Sequence, residues 1–532
     1  MVVSSFAYYK GDEAAVFADI TNGKMTLAEF AGFCVNYYGL HNITPAENPF
    51  SDLFAENAHY SDILRLAALG VLKGCGDGTV RPSETVDSVR VYTIISRIIS
   101  LPSSGTTLPP YVTDAMTQAF FWTGKVKEPN KLIMNSEEIA TFNKANLENK
   151  NTNMSDLESY PEYFDGNKLK KALAGFETPS AHYIDDVLME EGYYQKIRDN
   201  ILKARTSSVM ELRYGFAVRQ SVIKGYPYEG NLSSALNKPE EDDFASSGVM
   251  INDPLAVYFA TADGKFIYVH SFDVSGWISS EDVAICRDKE EFLSHKNAKN
   301  FITVTGEKVY LEPSSDPDLN EIMLFMGATL PLCGEGSEKI AWRTNWNNYT
   351  VLLPARDKSG FFYEKKAMLP ANRDVTVGFL PLTTANILNQ AFKMLGNRYS
   401  WGGAMNGVDC SAFVQTVYRT FGITLPRNTT WQSAVITEKS IDWTDATEDK
   451  KKADLDVIAP GSVLFFKGHE IMYIGKHDGK YYVINDVGQL VDPYNKDAGT
   501  VKIYGTIVNT LDVLRANGHT WVQDLNHALV LG

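Results

Sequence analysis

The spacing of apolar and polar positions changes along the chain, and each change predicts a different kind of element. Between residues 50 and 99, apolar residues near helical spacing (Ile63, Leu64, Leu66, Ala67, Leu69) stop at Gly70. Gly74, Gly76 and Gly78 then supply backbone freedom for a turn around Asp77. The stretch predicts helix, tight turn, short extended piece and helix, and GKMTLAEFAGFCVNYYGL upstream reads as the second half of a preceding copy. Residues 105–205 are polar and helical in character, with Pro109-Pro110 and NKANLENKNTNM marking loops. From 206 to 375 the period falls to two. LAVYFATADGKFIYVHSFDVSGWI alternates about Ala262-Asp263-Gly264, a hairpin signal, and a second set of short runs extends from NFITVTGEKVYLEP to DVTVGFLPL. Two small β-barrels in tandem fit these runs better than one large sheet. Beyond residue 376 the helical period returns: TTANILNQAFKMLG predicts an amphipathic helix closed by Gly396. Phe413, Val414, Val417, Tyr418 and Phe421 share one face of a second helix that ends at Gly422. Residues 471–475 and 481–485 are the arms of a hairpin with Asp478-Gly479 at its tip.

Length and composition narrow the classes. A chain of 532 residues is too long for one core and corresponds to roughly three to five domains. With 44% hydrophobic residues it can bury those cores, which excludes a largely disordered chain. A formal net charge of −15 argues against nucleic acid as the main partner, because phosphate binding needs a basic surface. No apolar run approaches the roughly 18 residues of a membrane span. The start, MVVSSFAYYKGDEAAVF, shows neither a basic n-region nor an apolar h-region, so the sequence reads as cytoplasmic or as a mature or trimmed form. The five cysteines are odd in number and scattered, which is no disulfide framework, and no pair has zinc-ligand spacing. The nine histidines include no H-E-x-x-H, so neither a metal nor another cofactor is expected.

One cysteine stands apart. Gly402, Gly403 and Gly407 make a flexible loop that delivers Asp409-Cys410 to the start of a helix. There free N–H groups and partial positive charge favour a thiolate, and Asp409 is placed to cap the helix. Cys34, Cys286 and Cys333 sit in apolar helical or β-patterned segments and read as buried small hydrophobes, while Cys75 lies in a glycine turn without a partner base. His469 opens the first arm of the C-terminal hairpin and Asn485 lies near the end of the second. Folding about residues 477–478 brings them side by side, where Asn485 can hold the imidazole's tautomer. Trp277 and Trp401 read as packing residues.

Cysteine on a helix followed by histidine and a polar residue on successive strands is the papain-like arrangement. YSWGG, DCSAFVQTVYRTFGITLPRN, PGS leading to GHEIMYIG, and YYVIND resemble, in order, the NlpC/P60 family of bacterial cell-wall cysteine peptidases. Gly276-Trp277-Ile278 resembles the ending of bacterial SH3 domains, and ALGVLKGCGDGTVRPSETV resembles S-layer homology repeats. Those repeats usually carry Thr-Arg-Ala-Glu; here the positions read Thr26-Leu27-Ala28-Glu29 and Asp87-Ser88-Val89-Arg90. The expected fold class is therefore multidomain α+β. Its parts are S-layer-homology-like helical repeats (1–104), a helical stabilising segment (105–205), two SH3-like barrels (206–290 and 291–375) and a papain-like α+β peptidase domain (376–532). The resemblance implies Cys410 as nucleophile, His469 as general base and Asn485 as third member, a place more often held by histidine. It implies Tyr399, Asp409, Ser411, Asn428 and Thr429 as substrate-binding positions. The implied partner is the peptidoglycan stem peptide or a muropeptide, with wall polymer held by the N-terminal repeats, in the cell envelope or outside the cell. The implied reaction is cleavage of the γ-D-glutamyl–diamino acid bond. The alternatives are an N-acetylmuramoyl-L-alanine amidase or acyl transferase on the same fold, and a catalytically weak wall-binding scaffold. Relatives with SH3 domains that cut free stem peptides commonly have Arg-Asp-Ser where this chain reads Arg427-Asn428-Thr429; the acid holds the free L-alanine amine. Asp242 and Asp243 are the candidates to replace it.

Overall fold

The computed structural model describes residues 25–38, 40–41, 43–99, 108–238, 241–320, 322–334, 339–340, 342–492 and 499–532. The N-terminal stretch MVVSSFAYYKGDEAAVF lies outside them. Helices α1 (Leu27–Tyr37), α2 (Tyr60–Ala68) and α3 (Ser88–Ile99) close over their own core of Phe30, Ile63, Leu66, Val91 and Ile94. Thr26 and Glu29 form a reciprocal capping box at the start of α1, which gives this Thr-x-x-Glu a structural use. Gly70, Gly74, Gly76 and Gly78 all have positive φ, the conformation the turn requires.

The following segment is helical but lies over the C-terminal domain. In α4 (Ala119–Thr123), Trp122 is buried against Tyr482, and the Tyr482 hydroxyl donates to the Tyr111 carbonyl. Helix α5 (Ser136–Glu148) starts in an Asn135/Glu138 capping box and continues through NKANLE, half of the stretch expected to be loop. Its half-buried Asn143 serves as a clamp, donating to the Gly422 carbonyl and accepting from Thr424 N–H. A composition-based reading takes asparagine for a breaker and misses this use.

The β-region forms two units, and among the described residues neither set of pairings closes into a barrel. The first is an antiparallel sheet of β1 (Arg213–Ala217), β2 (Ser221–Lys224), β3 (Ala245–Val249), β4 (Pro254–Ala260), β5 (Phe266–His270), β6 (Ser275–Ser279) and β7 (Val283–Ile285). Its order is β7-β1-β4-β5-β6-β2-β3. The β5–β6 and β4–β5 pairings carry the alternation legible in the sequence, and Trp277 is buried against Phe259 and Tyr268. In the second unit β8 (Phe301–Val304) pairs with β9 (Thr329–Pro331) and β12 (Val375–Val377), beside the long hairpin of β10 (Asn348–Arg356) and β11 (Phe362–Pro370). These pairings remain separate small sheets.

In the C-terminal region α6 (Thr384–Lys393) and α7 (Cys410–Arg419) pack on a six-stranded antiparallel sheet. Its strands are β13 (Ile441–Asp442), β14 (Val463–Phe466), β15 (His469–His477), β16 (Lys480–Val491), β17 (Thr500–Thr510) and β18 (His527–Leu529), in the order β13-β18-β14-β15-β16-β17. Phe413, Val414, Val417 and Phe421 are at most 1% exposed. Burying each contributes up to about 1.5–3 kcal/mol. Their core is continuous with Trp122 and with Ile302, Val351 and Leu353 of the second β-unit.

Candidate active site

Helix α7 begins at the cysteine because Asp409, in extended conformation, accepts from the Ala412 N–H at 3.0 Å as its N-cap. The same carboxylate accepts from Gly402 N–H and forms a two-pronged ion pair with Arg427, whose other donors reach the Ser411 and Ser247 hydroxyls. Asp409 and Arg427 are each 4% exposed, so this is a buried, satisfied ion pair holding the helix start. The first β-unit also grips α7 through Asp273–Gln415 and Asp253–Arg419. At Gly402 and Gly403 a Cβ would lie 2.2 Å from the Ala245 carbonyl oxygen and 2.5 Å from the Gly248 nitrogen of β3. These glycines permit close approach as well as a turn.

The hairpin places the histidine. A two-residue turn at Asp478-Gly479 and a register shift between Tyr473 and Gly475 align Met472 with Ile484. This register sets Asn485 diagonally across from His469, where folding about 477–478 predicts a direct pair. The side chains still meet: His469 Nε2 lies 3.1 Å from Asn485 Oδ1. Asn485 Nδ2 donates to Asn509 Oδ1, and Asn509 Nδ2 donates to the Thr510 carbonyl. That carbonyl fixes the direction of the whole relay, so Asn485 presents its oxygen and His469 carries its proton on Nε2. The Nδ1 lone pair remains available. Phe466 and Trp521 hold the ring from the sides.

Cys410 is 8% exposed. Its sulfur accepts from the Glu470 backbone N–H, one residue past His469, and lies 3.7 Å from Thr429 Oγ1. The helix start predicts a thiolate, but burial dominates: with Asp409 and Glu470 nearby, it pushes the thiol up to about 12. Burial also pushes the His469 imidazole down to about 4. The resting pair is therefore neutral.

A cavity of about 650 Å³ opens at the thiol, lined by Tyr399, Asp409, Cys410, Ser411, Asn428 and Thr429 among others. Cys410 and the substrate-binding positions read from the sequence thus line one cavity, with qualifications, whereas His469 and Asn485 are not among its lining residues. The Ser411 hydroxyl is taken up by Asp409 and Arg427, and Asn428 Oδ1 caps the helix beginning at Thr429 by accepting from Trp431 N–H. Trp401 is 56% exposed on the cavity rim, where the sequence suggested packing. Asp243 lines this cavity and an adjoining one of about 440 Å³, whereas Asp242 is buried in an ion pair with Lys224.

Residues 396–492 match the NlpC/P60 family. A γ-D-glutamyl-L-lysine dipeptidyl-peptidase from Bacillus cereus is 28% identical over 211 residues, 38% of this chain and 54% of that protein. The Listeria seeligeri protein named "Probable endopeptidase p60" is 37% identical over 103 residues, 19% of this chain and 17% of that protein. This chain thus spans about half the length of the first and less of the second. The solved structure of an NlpC/P60 endopeptidase from Photobacterium damselae subsp. piscicida superposes with a TM-score of 0.61 at 16% identity, covering 81% of this chain and 99% of that one. That likeness speaks for the fold. No helix among the described residues is long and apolar enough to cross a membrane.

Three residues of this NlpC/P60 domain site escaped the sequence reading. Arg427 and Asn509 act through partners distant in sequence. Glu470 had a visible signal, an acid where the strand's alternation calls for an apolar residue. It is fully buried, the Thr429 hydroxyl beside it offsets that burial only in part, and burial pushes it up to about 8. Asp486 is likewise pushed up to about 8. Unfolded carboxyls titrate near 4, so the folded state holds both protons more tightly. The resulting stability is complete below the unfolded value and is lost as pH rises through about 8. The melting temperature is expected to fall across that window, and to fall less in Glu470→Gln.

Proposed function

We propose that the chain is a cell-wall cysteine endopeptidase cutting the peptidoglycan stem peptide at the γ-D-glutamyl–diamino acid bond. The observation that carries this reading is the directed relay Thr510–Asn509–Asn485–His469. It keeps the imidazole's Nδ1 as a base on the strand against which the Cys410 thiol lies. In the proposed mechanism His469 takes the thiol proton as sulfur attacks the amide carbon. Charge on the tetrahedral oxygen is held by the Cys410 N–H at the helix start, with the Tyr399 phenol beside it. The imidazolium then protonates the leaving amine, and water activated by the same imidazole releases the acyl group. Both the NlpC/P60 match and the name of the Bacillus cereus relative support the substrate class.

With Asn428 used as a cap, Asp243 is the acid in the cavity suited to a free L-alanine amine. The two β-units serve as SH3-like accessory modules in this reading, the first shaping the cavity wall. The N-terminal repeats are the candidate anchor to wall polymer, placing the protein in the envelope or outside the cell. Mass spectrometry of digests of defined muropeptides, with L-alanine free or blocked, tests the bond. Products ending in γ-D-glutamate, formed faster from free-amine substrates, are expected. Asp243→Asn is expected to erase that preference. Release of intact stem peptide from muramic acid would identify an amidase instead.

A further inference from the structure

Glu470 has no role in the mechanism above, yet it occupies the nucleophile's own wall. It follows His469 on β15, so its side chain leaves the opposite face of the strand. His469 packs on Phe466 and Trp521, whereas Met472 and Ile474, on the Glu470 face, share a core with Phe413 and Val417 of α7. The Glu470 carboxyl is therefore shut between β15 and the start of α7. Its backbone N–H holds the Cys410 sulfur, and its ionisation raises the thiol.

The surrounding groups leave this carboxyl without a cation. From α7 come Cys410 and its cap Asp409; from the loop and short helix that follow come Arg427, already committed to Asp409, and Thr429. From β16 comes Asp486, bonded to the Thr506 hydroxyl and acting on Tyr399. Thr429 and Arg427 offset the burial of Glu470 only in part. An uncompensated buried carboxylate is strongly disfavoured, whereas a protonated one brings no charge into the interior.

We propose, resting on Cys410 as the nucleophile, that Glu470 is a positioning residue whose backbone N–H holds the sulfur, whose neutral carboxylic acid leaves the anionic sulfur unopposed and whose deprotonation disarms it. When the thiol proton passes to His469 Nδ1, the sulfur anion accepts from the Glu470 N–H, and the neutral carboxyl beside it sets no charge against the anion. Glu470 keeps its own proton throughout, so nothing further is transferred. Once ionised, the same carboxyl sets a negative charge against the sulfur and opposes thiolate formation.

The test is the pH dependence of Cys410 alkylation by iodoacetamide, followed by peptide mass spectrometry, beside hydrolysis of muropeptide over the same range. In the wild type the rise of alkylation with pH is expected to bend over near the titration of Glu470, and hydrolysis to decline above it. In Glu470→Gln the bend is expected to vanish, leaving alkylation at pH 9.5 on the order of ten-fold faster than wild type. Glu470→Met, which removes the charge without changing bulk, is expected to lose the bend too and serves if the glutamine variant fails to fold. Asp486→Asn is expected to retain it. A bend that persists in a folded Glu470 variant, or that follows Asp486, overturns the proposal. Full hydrolysis by Cys410→Ala would instead remove the nucleophile reading beneath it.

Discussion

Arg427→Met is expected to destabilise the C-terminal domain by about 3–5 kcal/mol, measured by denaturant unfolding. Asp409 would be left charged and buried at 4% exposure with its main cation gone. Three further bonds depend on the pair: Ser411, Ser247 and the Gly402 N–H lose a fixed partner or its orientation. Because Asp409 caps α7, the loss reaches the helix start that presents Cys410, and peptidase activity should fall with it. The double variant Arg427→Met/Asp409→Asn is expected to recover part of the stability, since it removes the orphaned charge as well as the ion pair. No recovery would mean that packing of the guanidinium, rather than charge pairing, dominates here.

His469→Ala is expected to lower kcat on the order of 10⁴-fold or more while the protein stays folded. The ring lies at a strand end against Phe466 and Trp521, and among the described residues its hydrogen bond is that to Asn485, so its removal takes away the base and one edge of this packing. Asn485→Ala should cost less, roughly 10²-fold, because the base remains and only its tautomer and orientation are released. The resting neutral pair adds a signature. With the thiol held high and the imidazole low, Cys410 should react slowly with iodoacetamide in the free protein at pH 7.

The helix of Cys410 and the hairpin of His469 and Asn485 were legible because their signals are local: an N-cap, a 3.6-residue apolar stripe, a two-residue turn. The hairpin's register was legible only to within a residue, because the irregularity near Gly475 follows from packing against Trp122, a residue far away in sequence. The separate small sheets of the second β-unit, the clamping use of Asn143 and the pairing of Arg427 with Asp409 likewise depend on partners that only the fold brings together. Glu470 lay between these cases. Its place in the strand was readable, but its isolation from any cation was not.

The most direct test of the central claim is the release of new amino groups from purified peptidoglycan by the wild type and by Cys410→Ala. The account predicts that the wild type releases diamino-acid amines from cleaved stem peptides and that Cys410→Ala, equally folded, releases none above background. Undiminished release by Cys410→Ala would contradict it.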